Sequence, residues 1–118
     1  MSSGTTFEYL VIVPDKPGAQ AKRLEVRAPP NSIQHLAGIE PARAAGKWQM
    51  GGALFHETPQ GSDPTKWDFM GSTLVCTAES KQEIIDGLSK DIYATTGVWD
   101  LDKVQIYPFK CAFREQLN

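Results

Sequence analysis

The chain has 118 residues, 41% of them hydrophobic and 22% charged, which suits one domain with its own core. Its net charge of −2, with basic residues scattered rather than gathered into a stripe, argues against nucleic acid as a main partner. The apolar run 9–14 is too short to span a bilayer, and two cysteines, Cys76 and Cys111, are too few for a disulfide scaffold. The expectation is a cytoplasmic protein with reduced thiols and no membrane partner.

Residues 1–6 read as a flexible lead-in. Residues 7–13 are rich in β-branched and aromatic side chains and predict a first strand, broken by Pro14, Pro17 and Gly18. Residues 19–26 can form a short helix. Pro29 and Pro30 interrupt, and Asn31 or Ser32 can cap a second helical piece. That piece runs through Ile33, Leu36, Ala37 and Ile39 to Gly46, with Pro41 expected to kink or restart it. Residues 47–57 form a second strand loosened by Gly51 and Gly52, 58–68 a polar loop, and 69–77 a third strand. Ser80, with Glu83 at capping-box spacing, predicts a helix over 80–90. Residues 103–109 supply the fourth strand. One domain thus covers 7–113, and Phe109 and Phe113 are expected to pin the tail, 114–118, to the body.

The order β-α-β-β-α-β predicts an α+β, ferredoxin-like fold with an antiparallel sheet and its helices on one face. By alternation, Phe7, Tyr9, Val11 and Val13 point one way, and Leu10 and Ile12 the other. Strand 69–77 is apolar on both sides as well. Two helical layers cover one face only, so a homodimer packed sheet to sheet is the simplest way to cover the second.

Asp91 lies at a helix exit beside Tyr93 and Trp99, a possible wall of a small-molecule pocket. From the residues alone, a solvated turn acid beside core aromatics is the commoner arrangement. An isolated His35 on a helix is more often bonded to a carbonyl than catalytic. Trp48 and Met50, at period two, read as strand core, with Met50 able to touch a pocket. Trp67 reads as a loop anchor rather than a lid. Arg27 can bind an acidic substrate group, although a surface ion pair is the commoner fate. Ser72 lies in Met70-Gly71-Ser72-Thr73, which lacks a nucleophile elbow, so it is a candidate contact for a substrate oxygen. His56-Glu57 is not followed by a second histidine at zinc-protease spacing, and no metal or phosphate-loop motif is present.

The segments YLVIVPDKPG, KRLEVR, HLAGI, AGKWQMGGAL, FMGSTLV, KDIYATTGVW and VQIYPFK, in that order, resemble the YCII-related family of dimeric α/β-barrel proteins. The resemblance implies a ferredoxin-like dimer with a pocket holding a His–Asp pair and a nearby Ser. These map onto His35, Asp91 and Ser72. This chain carries extra residues over 28–34, Asp91-Ile92-Tyr93 where the family often has Asp-Pro-Tyr, and Gly51-Gly52 where it often has Gly-Pro. The implied function is an enzyme without cofactor or metal, in which His35 and Asp91 transfer protons on a small organic molecule as an isomerase, lyase or hydrolase. Ser72, Arg27, Met50, Tyr93 and Trp99 would contact the substrate. The alternatives are a non-catalytic ligand-binding or accessory dimer and a purely structural module.

Overall fold

The structure is a computed structural model that describes residues 5–28 and 31–116, with the backbone alone at 31–34 and 36. The expectations for residues 1–4, Pro29, Pro30, 117–118 and the side chains of Asn31, Ser32, Ile33 and Leu36 lie outside the described residues. The β-branched run at the start forms β1 (Phe7–Pro14), and α1 (Gln20–Arg27) and α2 (Asn31–Ala44) follow. β2 (Trp48–Phe55) and β3 (Phe69–Ala78) come next, then α3 (Lys81–Leu88), the short α4 (Ile92–Thr95) and β4 (Gln105–Pro108). The four strands make one antiparallel sheet in the order β2-β3-β1-β4. This is the α+β, ferredoxin-like arrangement expected from the element order.

One reading of the helices changes. α2 runs through Pro41 without a restart. Proline removes one backbone bond, to the carbonyl of Ala37, and Ala37 is exposed, so water can meet that carbonyl. Gly46, with φ 73, closes the turn after the helix. The start of α3 is as its sequence signals: Ser80 Oγ accepts the backbone N–H of Glu83 at 3.2 Å. The Glu83 carboxylate reaches back one residue further than the capping box requires, to the N–H of Glu79.

The core lies between one sheet face and the helices. Val11, Val13, Leu74 and Cys76 point from the sheet into Val26, Ile84, Leu88 and Val98. On the other face Leu10 and Ile12 are only half-buried, and Met50 and Tyr107 are 61% and 50% exposed. Trp48 and Met50 do not share a face. A bulge between them pairs Trp48 with Cys76 but Met50 with Val75, so period two fails at this point. The tail also differs from expectation. Phe113 is 81% exposed, and Arg114 instead ties the tail down through Gln49 and Glu8. Among the described residues, no helix is long and apolar enough to cross a membrane.

Gly71 sets how closely β1 and β3 approach. A Cβ there would overlap the Val13 carbonyl oxygen and lie 2.9 Å from the Pro14 Cα, both backbone atoms with little freedom to move. Gly71→Ala is expected to destabilise the fold by about 1–3 kcal/mol, the usual cost of overpacking. Chemical denaturation checks this, and an unchanged midpoint would mean that the strand pair can separate without loss.

Candidate active site

The site is built where α1, α2 and α4 meet the helix-facing side of β3. Asp91 precedes α4 and caps it: its Oδ1 accepts the backbone N–H of Tyr93 at 2.9 Å. The same oxygen lies 3.0 Å from His35 Nδ1, which reaches it from α2. The Asp91 side chain is 4% exposed and that of His35 22%, so the acid is shut in while the imidazole remains accessible. A carboxylate only accepts, so the bond places the proton on Nδ1 and leaves Nε2 with a free lone pair. Chain topology thus joins two residues 56 positions apart.

A second network holds Ser72. Arg23 Nη2–H and Trp99 Nε1–H both donate to Ser72 Oγ, at 2.7 and 3.0 Å. Both oxygen lone pairs are occupied, and the hydroxyl proton is left to donate. This suits a contact to a substrate oxygen and not an activated nucleophile. Arg23 is itself held by a bidentate pair with Asp15, at 2.6 and 2.9 Å, with both side chains buried. Neither Arg23 nor Asp15 was singled out from sequence. The signal was available in α1, where Ala19, Arg23 and Val26 follow helical spacing and form its buried face.

Aromatic rings join the two networks. Tyr93 packs on His35 with ring centres 4.6 Å apart and on Trp99 at 5.5 Å, and the Arg23 guanidinium lies 4.9 Å from the Tyr93 ring centre. Burial pushes the Tyr93 hydroxyl above its ordinary pKa, against the opposing pull of Arg23 and Arg27, so it stays protonated at neutral pH. Arg27 forms no surface ion pair among the described residues. Its guanidinium lies over Phe69 at 5.3 Å and Trp67 at 5.9 Å. Trp67 donates to the Gln60 and Gly61 carbonyls and packs on Phe55, which places it as a loop anchor.

These residues border a cleft of about 640 Å³, lined by His35, Ser72, Tyr93, Trp99, Arg27 and Met50 among others. Every residue singled out as a site candidate lies on it except Asp91, which holds His35 from behind. Asp91 and His35 also border a second groove, about 910 Å³, between α2 and α3. Cys76 touches that groove, but burial pushes its thiol up to about 11, with Glu83 and Glu8 adding to the effect, so it stays neutral and unreactive. Among the described residues, no group of three or more His, Cys, Asp or Glu side chains is placed to hold a metal. His56 pairs with Asp68 on the surface, well exposed.

The sequence profile of the YCII-related domain matches residues 7–110. The chain is 36% identical over 104 residues to fusaric acid biosynthesis protein 2 of Gibberella fujikuroi, covering 87% of this chain and 92% of that protein. It is 38% identical over 106 residues to aspartate kinase FUB3 of Fusarium oxysporum f. sp. lycopersici; the match spans 89% of this chain but only 18% of that relative. Among solved structures it is similar to a 5-chloro-2-hydroxyhydroquinone dehydrochlorinase from Burkholderia phenoliruptrix, in complex with 2,5-dihydroxybenzoquinone. The TM-score is 0.65 and the identity 28%, with 87% of this chain and 93% of that chain covered. The chain therefore belongs to the YCII-related domain family.

Ser72→Ala is expected to leave the Arg23 and Trp99 donors without an acceptor in a buried place. The cost should be about 1–3 kcal/mol, read as a lower denaturation midpoint. A variant as stable as the parent would mean that water or a shifted side chain replaces the hydroxyl.

Proposed function

We propose that this YCII-related protein is an enzyme that moves a proton on a small oxygenated organic molecule, in an elimination or isomerisation, with His35 as acid or base and Asp91 as its orienting partner. The observation that carries the reading is the 3.0 Å contact between His35 Nδ1 and the buried Asp91 carboxylate, beside an open cleft. The carboxylate fixes the tautomer and leaves Nε2 as the ring nitrogen that faces a substrate proton. An imidazole in this state takes a proton from carbon or oxygen and returns it to a leaving group. Ser72 would donate to a substrate oxygen, while Tyr93 and Trp99 would give a flat wall for a ring. The similarity to a dehydrochlorinase solved with a dihydroxybenzoquinone supports a planar, oxygen-bearing substrate. The similarity to a fusaric acid biosynthesis protein supports a role in small-molecule metabolism.

Two measurements test this. In ¹H–¹⁵N spectra, the neutral ring of His35 should be protonated at Nδ1. In Asp91→Ala it should revert to the Nε2-protonated form that free imidazole favours in water. An Nε2-protonated ring in the parent protein would contradict the pairing. With 5-chloro-2-hydroxyhydroquinone as probe, the protein should accelerate chloride release, and His35→Gln should slow it by about 10²- to 10⁴-fold, the usual range for a lost general acid or base. Equal release by the parent and His35→Gln would favour the alternative, a non-catalytic ligand-binding protein built on the same cleft.

The reading includes a homodimer packed sheet to sheet. Its support is the outer sheet face, where Leu10, Ile12, Met50 and Tyr107 stay half-buried or exposed around Val75. Light scattering at micromolar concentration should give about twice the mass of one chain. Leu10→Lys, which puts a charge in that face, should give the single-chain mass. A folded, soluble monomer in the parent protein would refute the dimer.

A further inference from the structure

The cleft that holds His35 and Ser72 has a one-sided charge. Arg23, Arg27, Arg43 and His35 line it, and among the described residues no aspartate or glutamate does. Three of these four side chains already face a carboxylate. Arg23 pairs with Asp15, Arg43 with Glu40, and His35 with Asp91. Arg27 does not. Among the described residues its Nη1 is shut off from solvent and has no hydrogen-bond partner.

An unanswered charged donor is costly to keep, because desolvation of the N–H is not offset by an acceptor. The surroundings of Arg27 do not relieve that cost, but they do fix the group in place. Phe69 and Trp67 lie against the guanidinium at 5.3 and 5.9 Å, which restricts its plane without supplying an acceptor. A planar fork of donors held in this way matches the two oxygens of a carboxylate. Arg27 and His35 are borders of the same cleft, with Ser72 and Tyr93 among the other residues of its wall. The cleft therefore offers an anion site, a hydroxyl donor and an acid–base group to one ligand.

We infer that the substrate carries a carboxylate, and that Arg27 is the residue that selects it. The ligand class is a small planar ring acid with a further hydroxyl or keto oxygen for Ser72. This rests on the reading of the cleft as the substrate site, and it does not depend on whether His35 is catalytic.

Salicylate and salicylamide separate charge from shape, since they differ only in carboxylate against neutral amide. Isothermal titration calorimetry on the full chain near neutral pH should show salicylate bound more tightly by about tenfold or more, the scale of one charged hydrogen bond. Arg27→Met keeps an apolar stem against Phe69 and Trp67 but removes the charge, and it should abolish the preference. Arg27→Lys keeps the charge without the fork and should retain part of it. The Arg27 Nε–H signal of the parent protein should move on adding salicylate and stay in place with salicylamide, a readout that needs no variant to fold. Equal affinity for the two probes, absence of salicylate binding, or a preference that survives in Arg27→Met would overturn the inference. His35→Gln should keep the preference while losing chloride release, so failure of the acid–base reading and failure of this one give different results.

Discussion

One oxygen atom joins α2 to the start of α4. Asp91 Oδ1 takes the N–H of Tyr93, which starts α4, and the ring nitrogen of His35, which comes from α2. The cap fixes the carboxylate relative to the backbone, and the carboxylate then fixes the imidazole. Tyr93 is placed by the same cap and packs against the ring it helps to position. The loss of one carboxylate would free a helix start, a histidine tautomer and an aromatic wall together. A buried acid is costly to keep unless its lone pairs are used, and here both uses serve the same cleft.

The sheet contributes the second fixed element. Ser72 lies on the helix-facing side of β3, where Arg23 and Trp99 both donate to it and Asp15 anchors Arg23. Histidine and serine are thereby held on opposite supports, helix and strand, across one cleft. For the proposed acid–base chemistry, residues held in this way would need little reorganisation on ligand binding.

The strands and the α3 cap were legible because their signals are local: β-branched runs, alternation, and serine three residues before glutamate. The contact between His35 and Asp91 was not legible from spacing, since 56 residues separate the two. Only the ordered resemblance to a family pointed to it. Arg23 was passed over as one more scattered cation, although its helical spacing from Ala19 and Val26 marks the buried face of α1. Period two misplaced Met50, because a bulge depends on the partner strand and leaves no mark in a single segment. Phe113 was expected to pin the tail on hydrophobicity alone. The structure uses the Arg114 contacts instead, and these depend on where Glu8 and Gln49 meet in space.

His35 borders two openings, the cleft beside Ser72 and the groove between α2 and α3. The proposed chemistry belongs to the first. A crystal structure with 2,5-dihydroxybenzoquinone soaked in tests that claim most directly. The expected result is a ring in the cleft against Tyr93 and Trp99, with one ligand oxygen within about 3 Å of Ser72 Oγ and another near His35 Nε2. A ligand seated in the groove between α2 and α3, or a His35 ring turned away from Asp91 when the ligand is bound, would contradict it.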